Sequence, residues 1–422
     1  MTVRRPKRSW PAPLRRPLPL ALSIALSVLF TSCFIGVLAA GHAALPFRRI
    51  VTIEAKMASK SEFFEDPGVE RLLLRHGFRM HITRMGSRGI ATQSYAGYDV
   101  VFPSGQPAAD LITRERAQAG HPATAYGPFS SPIVLATYRE YAETLVSAGV
   151  AEPQPGGPAD EGPLYYRLDM DRFVGLAQAD GGRGMRWDDI GLNRHGLSNG
   201  NKVLAQTSDI CESNSAGTYL GLVAFVEKGN EIPKTEAEAD ELARRIKPVL
   251  IAQGMPSFEK NQTYLSPEGK SIAPIAVIYE HQFLAHQIQH QAKEGAVDGE
   301  RVLLYPSTRF ITEPKLIALS DDGDRLGKLV SDDPELQKRA MELGFRLRDT
   351  DSGFTSVQLT QFLESRDIPA PVTSDDDTRA VLPELGLLER MIEIVGECDT
   401  GDPAADGSGE PDGSAPTAEG PP

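Results

Sequence analysis

The sequence predicts an α/β protein built in two lobes, and three observations carry that reading. Short strand-like segments (RIVTIE from Arg49 to Glu54, rich in β-branched residues; Phe78 to Arg84, alternating; YDVVF from Tyr98 to Phe102, apolar) alternate with helical patterns from Glu62 to His76 and Ala108 to Gln118. That order implies parallel sheets covered by helices. The chain has 422 residues, beyond the size at which one core stops growing, so two lobes plus tails are expected. Third, Lys202 to Val226 reads as a buried strand (Val203, Leu204, Ala205), a polar turn from Ser213 to Thr218, and an apolar helix from Tyr219.

That third stretch organises the rest. The first N–H groups of a helix lack internal partners and sit at the positive end of its dipole. Ser213, Asn214, Ser215 and Thr218, with Gly217 permitting close approach, could cradle a polar ligand there. The competing reading is that Ser213 or Ser215 only caps the helix.

At the front, residues 1–17 carry Arg4, Arg5, Lys7, Arg8, Arg15 and Arg16 without an acid, and residues 18–45 hold no charged residue apart from a titratable His42. The apolar run is long enough to cross a bilayer core, and the preceding bases orient it with the N-terminus in the cytoplasm. A transmembrane signal anchor is expected, with the globular part at the outer face of the cell membrane. A cleaved signal peptide ending near Gly41–Ala43, or lipidation at Cys33, would give a secreted or lipid-anchored form instead.

Beyond the anchor, ligands of a parallel sheet bind at the carboxyl ends of its strands. This rule gathers Ser59, Lys60 and Ser61, then Ser87 and Arg88, then Ser104 and Gly105, on one rim. SPIVLAT (Ser131 to Thr137) is a strand followed by a helix from Tyr138 to Ala148. Leu168 to Ala177, Ala237 to Gln253, Glu335 to Gly344 and Pro383 to Val395 read as helices. PIAVIY (Pro274 to Tyr279) and VLLYP (Val302 to Pro306) read as buried strands, with Leu316 to Leu319 extending the VLLYP sheet. Residues 399–422 carry six acids and no base among Gly, Pro, Ala and Ser, and should be a disordered acidic tail.

The succession SPIVLAT, WDDIG, SNSAGT with its helix, APIAVIYEHQ, VLLYP and MELGFRL resembles the extracytoplasmic solute-binding proteins of bacterial ABC transporters, in the class with two lobes joined by two crossover strands (periplasmic-binding-protein type II). The resemblance covers Arg49 to Leu347. It implies that SPIVLAT crosses outward and APIAVIYEHQ returns, so that residues 46–131 with 281–398 form lobe 1 and 132–280 form lobe 2. It also implies a ligand held by Ser59 to Ser61, Ser104 to Gly105 and Ser213 to Thr218, with Tyr279 near the hinge. The implied function is capture of a small polar solute for permease subunits. Lys60 and Arg88 favour an anionic or zwitterionic one. A sensor or protein-interaction module on the same fold is the alternative, and an enzyme comes third.

Net charge is −13, which disfavours a nucleic-acid partner. No phosphate loop, nucleophile elbow, zinc-protease or dinucleotide motif is present, so neither catalysis nor a cofactor is expected. His281, His286 and His290 lie in EHQFLAHQIQH, but only Glu280 accompanies them, and a solvated His/Gln face is expected in place of a metal site. Asp321 to Asp324 and Ser374 to Asp377 lack calcium-loop spacing and read as exposed turns. An oxidising compartment permits Cys211 and Cys398 to pair.

Overall fold

The computed structural model describes residues 50–155, 162–211, 213–252, 264–266, 268–348, 357–372 and 377–398. The expected anchor, with Cys33, and the acidic tail lie outside them. Among the described residues no helix is long and apolar enough to cross a membrane.

The chain opens with β1 (Val51–Met57), a 3-10 turn (Ser59–Phe63), α1 (Pro67–Arg75), β2 (Phe78–Arg84), α2 (Ser87–Thr92), β3 (Val100–Phe102), α3 (Gln106–Gln118) and β4 (Ala125–Tyr126). β1 pairs in parallel with both β2 and β3. The period-2 geometry of a strand sends alternate residues to opposite faces. Ile53, Ala55, Met57 and Phe102 therefore enter one core with Phe63, Phe64, Val69 and Leu73, whereas Val101 faces Ile90, Ala108 and Ile112 on the other side.

β5 (Phe129–Tyr138) then leaves this lobe. Its first residue stacks on Phe345, with ring centres 4.1 Å apart, in the first core. From Ile133 onward it belongs to a second sheet. That sheet is reached through α4 (Arg139–Ser147), β6 (Ala151–Pro153), β7 (Tyr165–Leu168), α5 (Met170–Gly182), α6 (Asn214–Glu227), α7 (Glu236–Ile251), α8 (Gly269–Ile272), β8 (Ile275–Tyr279), α9 (Glu280–Glu294) and β9 (Arg301–Pro306). β5 lies between β8 and β9, antiparallel to both, and β9 continues into β7 and β6.

The return passes through β10 (Thr308–Arg309) and β11 (Ile311–Thr312) to β12 (Leu316–Ala318), α10 (Asp321–Asp332), α11 (Pro334–Glu342) and β13 (Arg346–Leu347). β12 completes the first sheet in the order β2-β1-β3-β12-β4. Last come α12 (Val357–Glu364), β14 (Thr378–Arg379) and α13 (Leu385–Gly396).

Several expectations need correction. The first lobe does not resume at residue 281, because β9 hydrogen-bonds to β5 and Phe283, Leu284 and Leu303 join the second core. The chain returns to the first lobe only after Pro306. Residues 357–372 and 377–398 also pack in the second core, through Leu359, Leu363, Leu388 and Met391. β12 extends the first sheet and not that of β9. Val203, Leu204 and Ala205 are buried without forming a strand; the neighbouring Gln206 makes one parallel bridge to Ala276. Asp321 to Asp324 form the first turn of α10, where helix polarity favours acids and Ser320 caps the end. Asp377 is not an exposed turn residue but pairs with Arg167 and Arg309; residues 373–376 lie outside the described set.

Candidate functional site

The site is built on α6. Its sequence, NSAGTYLGLVAFVE, is apolar on every side, and all residues from Ala216 to Val226 are buried, as expected of a helix enclosed by its neighbours. Ser213 is the N-cap, its Oγ accepting from the N–H of Ala216 at 3.5 Å and lying 2.8 Å from the Oγ of Ser215. The expected polar turn is thus the first turn of the helix itself. Gly217 lets α13 approach, and Gly221 the segment just before it. A Cβ on Gly217 would stand 3.0 Å from Ile392 Cδ1, and one on Gly221 only 2.5 Å from Leu382 Cδ2.

α13 is fixed by three ties. Arg390 forks onto Asp240 of α7, with Nη2 donating at 2.9 Å. Lys247 Nζ donates to the carbonyl of Ile394 at 3.1 Å. Cys211 and Cys398 form a disulfide with a Cα separation of 5.6 Å.

These elements enclose a cavity of about 720 Å³ between the lobes. Lobe 1 contributes Ser87, Thr92, Ala108 and Leu111 from α2 and α3. The second lobe contributes Ser213, Asn214 and Thr218 from the start of α6, the apolar Leu385, Leu388 and Ile392 from α13, and the disulfide itself. Asp209, Glu389, Glu393 and Glu397 also line it, the last of them paired with Lys247 of α7.

The predicted site residues divide into two groups. Ser87, Ser213, Asn214 and Thr218 reach the cavity. Ser59, Lys60, Ser61, Ser104, Gly105, Ser215 and Tyr279 do not, and most of them close the deeper part of the cleft on itself. Ser59 Oγ lies 2.9 Å from Ser104 Oγ, and the Ser104 N–H donates to Ser87 Oγ at 3.0 Å. Lys60, wholly buried, donates to the Ser104 carbonyl at 3.2 Å and stands 3.4 Å over the Tyr279 ring. Asn214 Nδ2 donates to the Tyr279 hydroxyl at 3.0 Å, and a Cβ on Gly105 would lie 2.7 Å from Asn214 Oδ1. Of Arg88 only the backbone, in α2, is described.

Burial governs the electrostatics here. It holds the Lys60 amine well below the ordinary lysine pKa, against the opposing pull of Glu62. It pushes the Tyr279 hydroxyl up to about 12.

Sequence reasoning missed two parts of the site. One is the wall made by α13, whose amphipathic pattern was readable but whose docking partner was not. The other is the hinge cluster at the start of α9. His281 is not on a solvated face: it is buried, its Nδ1 2.9 Å from Ser131 Oγ and its Nε2 against Glu62, with the ring stacked 3.9 Å from Phe345. Glu280 is fully buried, paired with Arg346 and accepting from the Tyr305 hydroxyl at 2.6 Å. His286 pairs with Asp298 at 2.8 Å.

Helix-flanked sheets in two lobes are joined by β5 and by the β10–β11 segment, with a cavity between them; this is the arrangement that the resemblance to the periplasmic-binding-protein type II class implies. Similar solved structures include iron-bound HitA from Pseudomonas aeruginosa, with 11% identity and a TM-score of 0.48 over 82% of this chain and 99% of that one. The sulfate-binding protein SubI from Mycobacterium tuberculosis H37Rv has 13% identity and a TM-score of 0.42 over 80% and 96%. The substrate-binding protein of an ABC transporter from Agrobacterium tumefaciens has 11% identity and a TM-score of 0.44 over 82% and 94%. No family profile matches the sequence, and no curated protein matches it either.

Proposed function

We propose that this chain is a solute-binding protein, tethered at the outer face of a membrane, that captures a small polar solute between its lobes for an ABC-type permease. The observation that carries the reading is the cavity of about 720 Å³ walled by both lobes and by the first turn of α6. A solute there touches both lobes at once, so binding favours the closed arrangement. Lys60 is buried away from this space.

Thermal unfolding of the full-length chain against amino acids, sugars, anions and metal ions tests the proposal. A solute at a hundred times its Kd adds about 2.7 kcal/mol of stability. A clear shift with one class supports capture; silence from a folded protein across the whole panel overturns it.

A second reading, an extracellular sensor or interaction module, draws on a different observation: the deep cleft is closed by the protein's own side chains. Retained function of the cell after deletion of every neighbouring permease gene, with loss on deletion of this gene, would favour it.

A further inference from the structure

We propose that Lys60 is a tethered occupant of the deep cleft, a side chain that ties the two lobes together where a solute would otherwise sit and so confines any solute to the outer cavity. The consequence for solutes rests on the binding reading above; the tie itself does not.

Four observations carry the inference. Lys60 begins in the loop after β1, on the lobe 1 rim, yet its tip reaches Tyr279 at the end of β8 in the second lobe. One amine thus contacts both lobes, donating to the Ser104 carbonyl at 3.2 Å on one side and lying 3.4 Å from the Tyr279 ring centre on the other. An amine N–H over an aromatic face is attracted by the negative face of the ring whether or not the amine carries the extra proton, and more so where water is excluded. Lys60 is 0% exposed, so water is excluded here.

Second, the groups around the amine already satisfy one another. Ser59 meets Ser104, and Asn214 donates to Tyr279. Third, Gly105 and Asn214 are in close contact across the cleft, where even a methyl group on Gly105 would clash. Fourth, a hydrocarbon of Lys60's length would fill the same volume without the cost of burying an amine. What the amine adds is a directed bond to one lobe and attraction to a ring on the other.

The test is chemical replacement. Lys60→Ala removes three carbons and one nitrogen, and n-propylamine supplies the same atoms. In the full-length chain, K60A should melt lower than the parent and recover with n-propylamine in a saturable manner, whereas n-butane-sized alcohols without the amine should not restore it. The parent should show no such shift. Hydrogen exchange gives a second readout. Amides of residues 58–64 and 276–282 should be protected in the solute-free parent, exposed in K60A, and protected again with n-propylamine.

Rapid exchange of these segments in the solute-free parent, or a K60A protein indifferent to n-propylamine, overturns the proposal. If K60A does not fold, Lys60→Met fills the volume without the amine. Full protection of residues 276–282 in that variant overturns it as well, and at least a tenfold faster exchange supports it. A silent solute panel alongside a positive replacement experiment would remove the transport reading and leave the tie standing.

Discussion

Glu280 and Arg346 illustrate how much depends on single buried groups. Both side chains are withdrawn from water, and the carboxylate also accepts from Tyr305. Removing one charge takes the buried counter-ion from the other, which typically costs 3–5 kcal/mol in such pairs. Glu280→Gln should therefore lower the unfolding free energy by about 3 kcal/mol or more, measured by denaturant titration, and the double variant with Arg346→Met should recover part of the loss.

His281 sets a pH dependence. Burial holds its imidazole below the ordinary value, although Glu62 pulls the other way. A base with a depressed folded pKa binds fewer protons folded than unfolded. Stability from this group is therefore present above the ordinary imidazole range, near 6.5, and falls as pH drops through that value toward the folded pKa. His281→Asn should flatten this part of the stability profile, read from melting temperatures across the acid range. An unchanged acid slope would mean that other groups cause it.

At the scale of elements, α13 is the piece whose role exceeds its sequence signal. It is the last described helix, packed on α6 and α7, and it forms one wall of the cavity. The disulfide joining its end to the residues before α6 spans a sequence separation of 187. In the chain-entropy model a loop of that size contributes about 5 kcal/mol. Serine at both Cys211 and Cys398 should cost roughly 2–5 kcal/mol in melting or denaturant experiments, and dithiothreitol should reproduce the loss in the parent protein. Solute binding should weaken in parallel, because the same helix forms the wall. A double variant that binds solute unchanged would place α13 outside the site.

For the whole molecule, the prediction concerns the cavity between the lobes. Leu111 projects into it from α3 and is only partly buried. Leu111→Trp should fill the space from the lobe 1 side. The expected outcome is loss of the solute-induced melting shift, with the intrinsic melting temperature within about 2 °C of the parent, as for most substitutions outside a packed core. Undiminished affinity would move the solute out of this cavity. A bulky residue at Ser215, by contrast, should act through the helix cap, since Ser215 does not line the space.

The sequence by itself determined the local periods. RIVTIE, YDVVF, SPIVLAT, PIAVIY and VLLYP could each be recognised because strand geometry repeats every two residues and buried strands tolerate only apolar runs. The N-cap at Ser213 was readable for a similar reason: the unpaired N–H groups of a first turn select a short hydroxyl side chain. The two-lobed class followed from the order of these pieces.

Only the tertiary structure decided which pieces share a sheet. VLLYP pairs with SPIVLAT and so belongs to the second lobe, whereas Leu316–Ala318 joins the first. Neither pairing leaves a trace in local pattern, because strand partners meet across long stretches of chain. Tertiary packing likewise turned Lys60 from an expected rim cation into a buried tie, and moved His281 from a solvated face to the hinge. A charged or titratable residue has the same letter in water and in a core. Its surroundings, set by residues far away in sequence, decide what it does.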